Sequence, residues 1–293
     1  MTENLQQQRE RNHQKNLDRL KRFRPIDDTF MRGMFHQNRE LVEFVLQTIL
    51  EKKDLRVLSS QTQMDAKRVT GARSICLDVY AIDAIGKVYN IEVQKDCNEA
   101  NPKRIRYHSS VLDIENLDVT QDFDNLPETY VIFITEKDYF GAGKPIYAIE
   151  ETVVTTGQLY GDGRHILYVN ASYQDRSTDI GKLMHDFLCN DAKDMLCPLM
   201  KKQTAYLKES QKGVTKMCEI MEELRAEGFE EGRSEGLSEG LSKGRKEGRK
   251  EGNKEGQAAI IHAIYNNGLS LEQISDMTNI SLAEVTRIIK SKC

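Results

Sequence analysis

Apolar positions change their period several times along the chain, and each change predicts an element. From Asn38 onward Leu41, Val42, Val45, Leu46, Ile49 and Leu50 recur at i, i+1, i+4, i+5, i+8 and i+9, one broad stripe of an amphipathic helix. Leu55 to Leu58 reads as a short strand, and 59–72 reads as a polar loop without period. The stretch from Arg73 to Lys95, RSICLDVYAIDAIGKVYNIEVQK, then alternates with period two on either side of Asp83-Ala84-Ile85-Gly86, as a β-hairpin does. A three-residue loop, Ala84 to Gly86, with Gly86 left-handed, makes Asp83 the partner of Lys87. That register sets Asp78 directly across from Glu92. Ile75, Leu77, Val79, Ala81, Tyr89, Ile91 and Val93 share the apolar face; Asp78, Tyr80, Asn90, Glu92 and Gln94 share the other.

Downstream, Asn101 as N-cap and Pro102 at the first helical position start a helix to about Asn116. Arg104, Tyr107, His108 and Val111 fall on one of its faces. The unbroken Tyr-Val-Ile-Phe-Ile run inside Glu128 to Glu136 predicts a strand buried on both sides, central in a mixed sheet. Ile146 to Val154 and His165 to Asn170 form a hairpin-like return around Asp162-Gly163, and helices follow at about 179–190 and 199–226. From Gly228 to Gly256 every fourth residue is glycine, eight in all, seven of them after Glu. Eight helical glycines cost about 6–8 kcal/mol against alanine, which favours a flexible charged spacer in the monomer over a helix whose glycine stripe admits a partner. Residues 257–293 read as three short helices: one closed by Gly268, then two started by the capping boxes Ser270-Leu271-Glu272-Gln273 and Ser281-Leu282-Ala283-Glu284. Ile260, Ile261, Ile264, Leu271, Ile274, Met277, Ile280, Val285, Ile288 and Ile289 would make its core. Such a tail resembles a helix-turn-helix that would present Thr286, Arg287 and Lys290 to DNA, and equally suits subunit association.

Composition narrows the class. With 293 residues, 30% of them charged, and no apolar run near the roughly 20 residues of a membrane helix, the chain reads as a cytoplasmic protein without signal peptide or span. Six cysteines without a C-x-x-C spacing indicate reduced thiols. His185 and Cys189 are spaced as two metal ligands, but no second pair accompanies them. Net charge is −4, yet residues 1–25 carry seven basic against three acidic side chains, leaving −8 for the rest. This basic arm is either a phosphate-contacting segment or a solvated tail.

Two carboxylates opposed across a hairpin repel, and a polar hairpin face is ordinarily just solvated. A divalent cation between Asp78 and Glu92 would reverse the sign, since hard oxygen ligands suit Mg²⁺ or Mn²⁺. Asp78, the hairpin and Glu92-Val93-Gln94 resemble the active-site strands of the PD-(D/E)XK nuclease superfamily, specifically its transposase branch, also called recombination-promoting nucleases. In that branch Gln commonly stands where other members carry Lys. The likeness extends to Asp27-Asp28-Thr29-Phe30, to Tyr130–Glu136 followed by Asp138, to Ile166–Asn170 and to Leu183–Phe187, over roughly residues 26 to 226.

The resemblance implies an α/β fold of restriction-endonuclease type, a mixed sheet flanked by helices, with a helical C-terminal stalk and a small three-helix tail. The expected divisions are a basic arm 1–25, a nuclease-like domain 26–198, a stalk 199–227, the glycine repeat 228–256 and the tail 257–293. It implies Mg²⁺-dependent, or Mn²⁺-dependent, hydrolysis of DNA phosphodiester bonds, with Asp78, Glu92 and the Val93 carbonyl as ligands and Gln94 orienting water and phosphate. Gln lacks the charge of Lys, so turnover would be weak, and Lys95 leaves on the apolar face. Glu40 or Glu43 could add an acid from the first helix, and Arg104 and Tyr107 could hold a phosphate, beside ordinary surface roles for each. The other reading is a catalytically inactive DNA-binding or assembly protein derived from a mobile element; RNA as substrate and a homo-oligomer through the stalk and repeat also stay open.

Overall fold

The computed structural model describes residues 2–66 and 75–291, so Arg73 and the end of the 59–72 stretch lie outside the described residues. The chain divides into two compact units, residues 1–224 and 225–293.

In the first unit a helix α1 (Thr2–Arg22) leads into α2 (Asp28–Phe35) and α3 (Arg39–Leu50), the predicted amphipathic helix, whose N-cap Asn38 side chain accepts the Leu41 N–H at 3.2 Å. The strands β1 (Val57–Asp65), β2 (Cys76–Asp83) and β3 (Val88–Gln94) follow, then α4 (Pro102–Asn116) and β4 (Thr129–Thr135). Next come β5 (Ile146–Ile149), a two-stranded excursion of β6 (Thr152–Val153) and β7 (Gln158–Leu159), and β8 (Arg164–Asn170). The helices α5 (Asp179–Leu188), α6 (Pro198–Glu209) and the first turns of α7 (Gln211–Asn266) complete it. The six-stranded sheet has the order β1-β2-β3-β4-β8-β5; β3, β4 and β8 are parallel and the other pairs antiparallel. It is therefore mixed, and β4 sits inside it with every residue buried, because its run of β-branched and aromatic side chains has apolar neighbours on both faces.

One face of the sheet (Val79, Ala81, Tyr89, Ile91, Val93, Ile132, Ile134, Val169) packs in the larger core with residues of α2, α3, α5, α6 and α7. The other face (Val88, Val131, Phe133, Tyr168) packs against Ile105 and Leu112 of α4. The hairpin's polar face is thus covered by a helix rather than by water, and Asn90, Glu92 and Gln94 are all buried. Three further expectations change. The predicted loop after Leu58 is strand through Asp65: β1 is an edge strand with mostly polar, half-exposed residues, so no apolar period announces it. Ile75 and Leu77 pack with the α4-side cluster rather than beside Val79, on the far side of the 63–78 pair that the β1–β2 ladder lacks. The single stalk helix is two: Ser210 is extended (φ −83°, ψ 143°), its hydroxyl caps the Gly213 N–H at 3.0 Å, and α7 starts anew.

In the second unit the glycine ladder is helical within α7, against the spacer expectation. Helix propagation needs no new nucleus, and the intervening Glu, Lys, Arg and Leu are good helix formers, with pairs such as Glu239–Lys243 at i, i+4. α8 (Leu271–Thr278) opens with a complete capping box between Ser270 and Gln273, and α9 (Leu282–Lys290) is capped by Ser281. Ile261, Ile274 and Val285 form the tail's core with Ile264, Leu269, Leu271, Ile280, Ile288 and Ile289 around them, whereas Ile260 and Met277 of the expected core are exposed. Among the described residues Cys76, Cys189, Cys197 and Cys218 are free thiols, and no helix is long and apolar enough to cross a membrane.

Candidate active site

The hairpin closes on Gly86 at φ +84°, where the left-handed region favours glycine. The Asp83 carboxylate accepts the N–H groups of Ile85 (3.0 Å) and Lys87 (2.9 Å) and the Tyr89 hydroxyl (2.7 Å), locking the turn. The β2–β3 ladder then runs from Ile82–Val88 to Val79–Ile91 and stops. Asp78 and Glu92 are the next residues on each strand, at the fork where the strands part. There each carboxylate takes the other strand's backbone: the Asp78 N–H donates to Glu92 Oε1 at 3.2 Å, and the Val93 N–H donates to Asp78 Oδ2 at 3.0 Å.

On the edge side, the 63–78 pair is missing from the β1–β2 ladder, and Gln63 is left-handed at φ +53°, a conformation costly for a non-glycine residue and common where a site constrains the backbone. Its amide nitrogen donates to Asp78 Oδ1 at 3.3 Å. On the covering side, α4 buries Ile105, His108, Ser109, Val111 and Leu112 against the sheet. His108 stands edge-on to Phe133 with ring centroids 5.5 Å apart, its Nδ1 lying 3.4 Å from Glu92 Oε1 and 3.3 Å from the Asn90 amide nitrogen. Gln94 lies between Glu99 and Arg104. Both ends of its amide are satisfied with nitrogen toward Glu99 Oε2 (2.8 Å) and oxygen toward Arg104 Nη2 (3.3 Å). Arg104 also donates to Glu99 (3.2 Å) and, through Nε, to His108 Nε2 (3.4 Å).

The Asp78 carboxyl is held well above the usual carboxylate range, first by burial and next by the Glu92 carboxylate; the Val93 N–H and the Gln63 amide oppose the rise, and Asp28 adds to it. Two acids on adjacent strands, one held above the usual carboxylate range by burial and by the other, offer the hard oxygens that a divalent cation binds through one or two carboxylates while keeping several waters. Among the described residues there is no cluster of three or more His, Cys, Asp or Glu that would hold a metal by side chains alone. The two carboxylates are hard oxygen donors of the kind such a cation takes.

Residues 30–227 match the family described as PD-(D/E)XK nuclease family transposase. The chain belongs to this family. No curated protein and no solved structure matches it. Membership gives the chain a nuclease- or transposase-related role, and its mixed sheet flanked by helices is consistent with the PD-(D/E)XK fold.

Within this PD-(D/E)XK transposase the remaining candidates are distributed unevenly. Arg104 joins the site through Gln94 and His108, whereas Tyr107 lies on the exposed side of α4. Glu40 is exposed, and Glu43 is occupied elsewhere, accepting the Val57 N–H at 2.9 Å at the start of β1. Asp28, at the start of α2, is instead the helix acid that acts on Asp78. Lys95 pairs with Asp27 at 2.9 Å, away from the carboxylate fork. His185 Nδ1 faces Asp186 and the Cys189 thiol donates to the Asp191 carbonyl, so neither turns to the other as a ligand pair would. Arg287 is paired to Glu284 on α9, and Lys290 closes that helix. Sequence reasoning missed Gln63 and Glu99, and it placed His108 only as a face-mate of Arg104. The i, i+4 spacing of Arg104 and His108 opposite the buried Glu92 is the signal that would have found His108.

Proposed function

We propose that the Asp78–Glu92 fork hydrolyses DNA phosphodiester bonds with Mg²⁺ or Mn²⁺. The observation that carries this reading is the reciprocal clasp of two acids from adjacent strands, a half-buried Asp78 and a buried Glu92, where the ladder ends. Asp78 and Glu92 would hold the cation. The Val93 carbonyl, which shares a strand edge with the N–H that reaches Asp78, would complete the protein side. The cation when bound polarises the scissile phosphate and acidifies a coordinated water. Gln63 and the Val93 N–H fix Asp78, while Glu99 and Arg104 hold the Gln94 amide, which orients water and phosphate without contributing charge. Turnover is accordingly slow. DNA would be gripped further by Arg104 and, through the tail, by Arg287 and Lys290; self-association would use the stalk and glycine repeat, and the enzyme would work in the cytoplasm.

The second reading, a DNA-binding or assembly protein without turnover, is favoured by Gln94, whose amide is engaged by Glu99 and Arg104. Supercoiled-plasmid nicking in Mg²⁺ or Mn²⁺ by wild type, Asp78→Ala and Glu92→Ala separates the two. Cleavage by wild type alone supports the nuclease, and wild type no better than the variants leaves the binding protein. Single-stranded RNA in the same assay tests the substrate.

A further inference from the structure

The buried surroundings of Glu92 contain a group with no role in the reading above. His108 is wholly buried, sits on α4 four residues after Arg104, and offers one ring nitrogen to each side of the site. A guanidinium has no acceptor, so the Arg104 Nε–H facing His108 Nε2 at 3.4 Å requires a lone pair there. The neutral ring then carries its proton on Nδ1. Two groups face that N–H: Glu92 Oε1 at 3.4 Å and the Asn90 side-chain amide at 3.3 Å. An amide nitrogen cannot accept a hydrogen bond, so in this arrangement the acceptor that the Nδ1–H faces is Glu92 Oε1, at ion-pair distance. The Asn90 oxygen is buried without a partner, and turning the amide over would set it against the same N–H.

Glu92 Oε1 thus accepts the Asp78 N–H and has His108 Nδ1 3.4 Å away, which leaves Oε2 as the oxygen turned to neither and placed to ligate. We propose that His108 is a positioning residue for Glu92: the Arg104–His108–Glu92 chain, braced on Phe133, fixes which carboxylate oxygen meets the cation. The inference rests on the metal site proposed above. Partners that orient a ligating carboxylate typically contribute 10–100-fold to metal affinity.

The test is Mn²⁺ binding to the full chain by calorimetry, with thermal unfolding as a check on folding, for wild type, Asp78→Ala, His108→Leu, His108→Asn and His108→Gln. Asn places an N–H where Nδ1 stands, whereas Gln places one where Nε2 stands. The expected result is a dissociation constant raised about 10–100-fold in His108→Leu, with Asn closer to wild type than Gln, and a matching shift in the Mn²⁺ concentration giving half-maximal nicking. Should His108→Leu not fold, the order of Asn and Gln decides. Wild-type binding that Asp78→Ala abolishes but His108→Leu leaves unchanged, or Gln equal to or better than Asn, overturns the positioning role and leaves the metal site standing. No binding by wild type, or binding indifferent to Asp78→Ala, overturns both.

Discussion

Replacing Asp78 with asparagine should make the metal-free protein more stable at pH 8 while weakening the proposed cation site. Like charges on neighbouring side chains, roughly 5 Å apart in general, repel by about 3 kcal/mol at an effective dielectric of about 20. Asparagine removes that repulsion. It retains an oxygen for the Val93 N–H, but a neutral acceptor forgoes about 1 kcal/mol relative to the ionised one. The net gain is about 2 kcal/mol, or about 4–8 °C in melting temperature for a unit of this size. The sign with pH follows from the raised carboxyl. Between the ordinary value of 3.8 and its higher folded value, the folded state binds more protons than the unfolded chain. Wild-type stability therefore falls as pH rises through that window, and the Asp78→Asn variant is spared the loss. Melting curves at pH 4, 6 and 8 should show the two proteins converging at acid pH and separating toward pH 8. Added Mn²⁺ should raise the wild-type curve alone. A variant no more stable than wild type at pH 8, or a difference independent of pH, would refute the argument that the acids are held together under strain.

Gly213→Ala would drive a methyl into the Tyr206 carbonyl oxygen and to 2.7 Å from Leu207 Cα, backbone contacts that no rotamer relieves, so a loss of about 1–3 kcal/mol should appear as a lower melting temperature. At Gly240 and Gly244 an added methyl meets nothing within 4 Å; a Gly240→Ala/Gly244→Ala chain should gain about 0.8–1 kcal/mol of helix stability per site, seen as increased helicity by circular dichroism, and a loss of self-association instead would show that the stripe receives a partner. If the tail contacts phosphates, Arg287→Ala with Lys290→Ala should weaken DNA binding and lower the salt slope by about 2, whereas an unchanged slope would confine the tail to assembly.

The hairpin was legible because two local signals agree: period-two alternation and a glycine where φ must be positive fix one register, which the ladder from Val79–Ile91 to Ile82–Val88 follows. β4 was legible because a strand buried on both faces has to be apolar throughout. β1 was not, since Ser59, Ser60, Gln61, Thr62 and Gln63 lie on a sheet edge where polar residues bear no penalty and leave no period. The break at Ser210 was hidden because it is made locally, by one capping serine and the fit of Gly213 against Tyr206 and Leu207, inside a stretch that otherwise reads as continuous helix. At the site, alternation correctly grouped Asn90, Glu92 and Gln94 on one face but carried no information about what covers it. Only the packing of α4, whose buried stripe includes His108 and Ser109 among its apolar residues, turns a polar face into an enclosed one.

That enclosure explains why the local rules fail where they do. The missing 63–78 pair, the left-handed Gln63, the like charges at the fork and the unpartnered Asn90 oxygen all lie within a few residues of Asp78 and Glu92. Each opposes folding by an amount of order 1 kcal/mol or more, and none would persist on an isolated hairpin. They persist here because both sheet faces bury continuous apolar clusters, anchored by Val79, Ile91 and Val93 on one side and by Phe133, Ile105 and Leu112 on the other. A cation would remove the largest of these penalties, the charge repulsion, and leave the others as geometry that holds its ligands apart from the ladder. The clustering of unfavourable terms around two acids, in a fold otherwise consistent from propensity to packing, supports the proposed site over an accident of alternation.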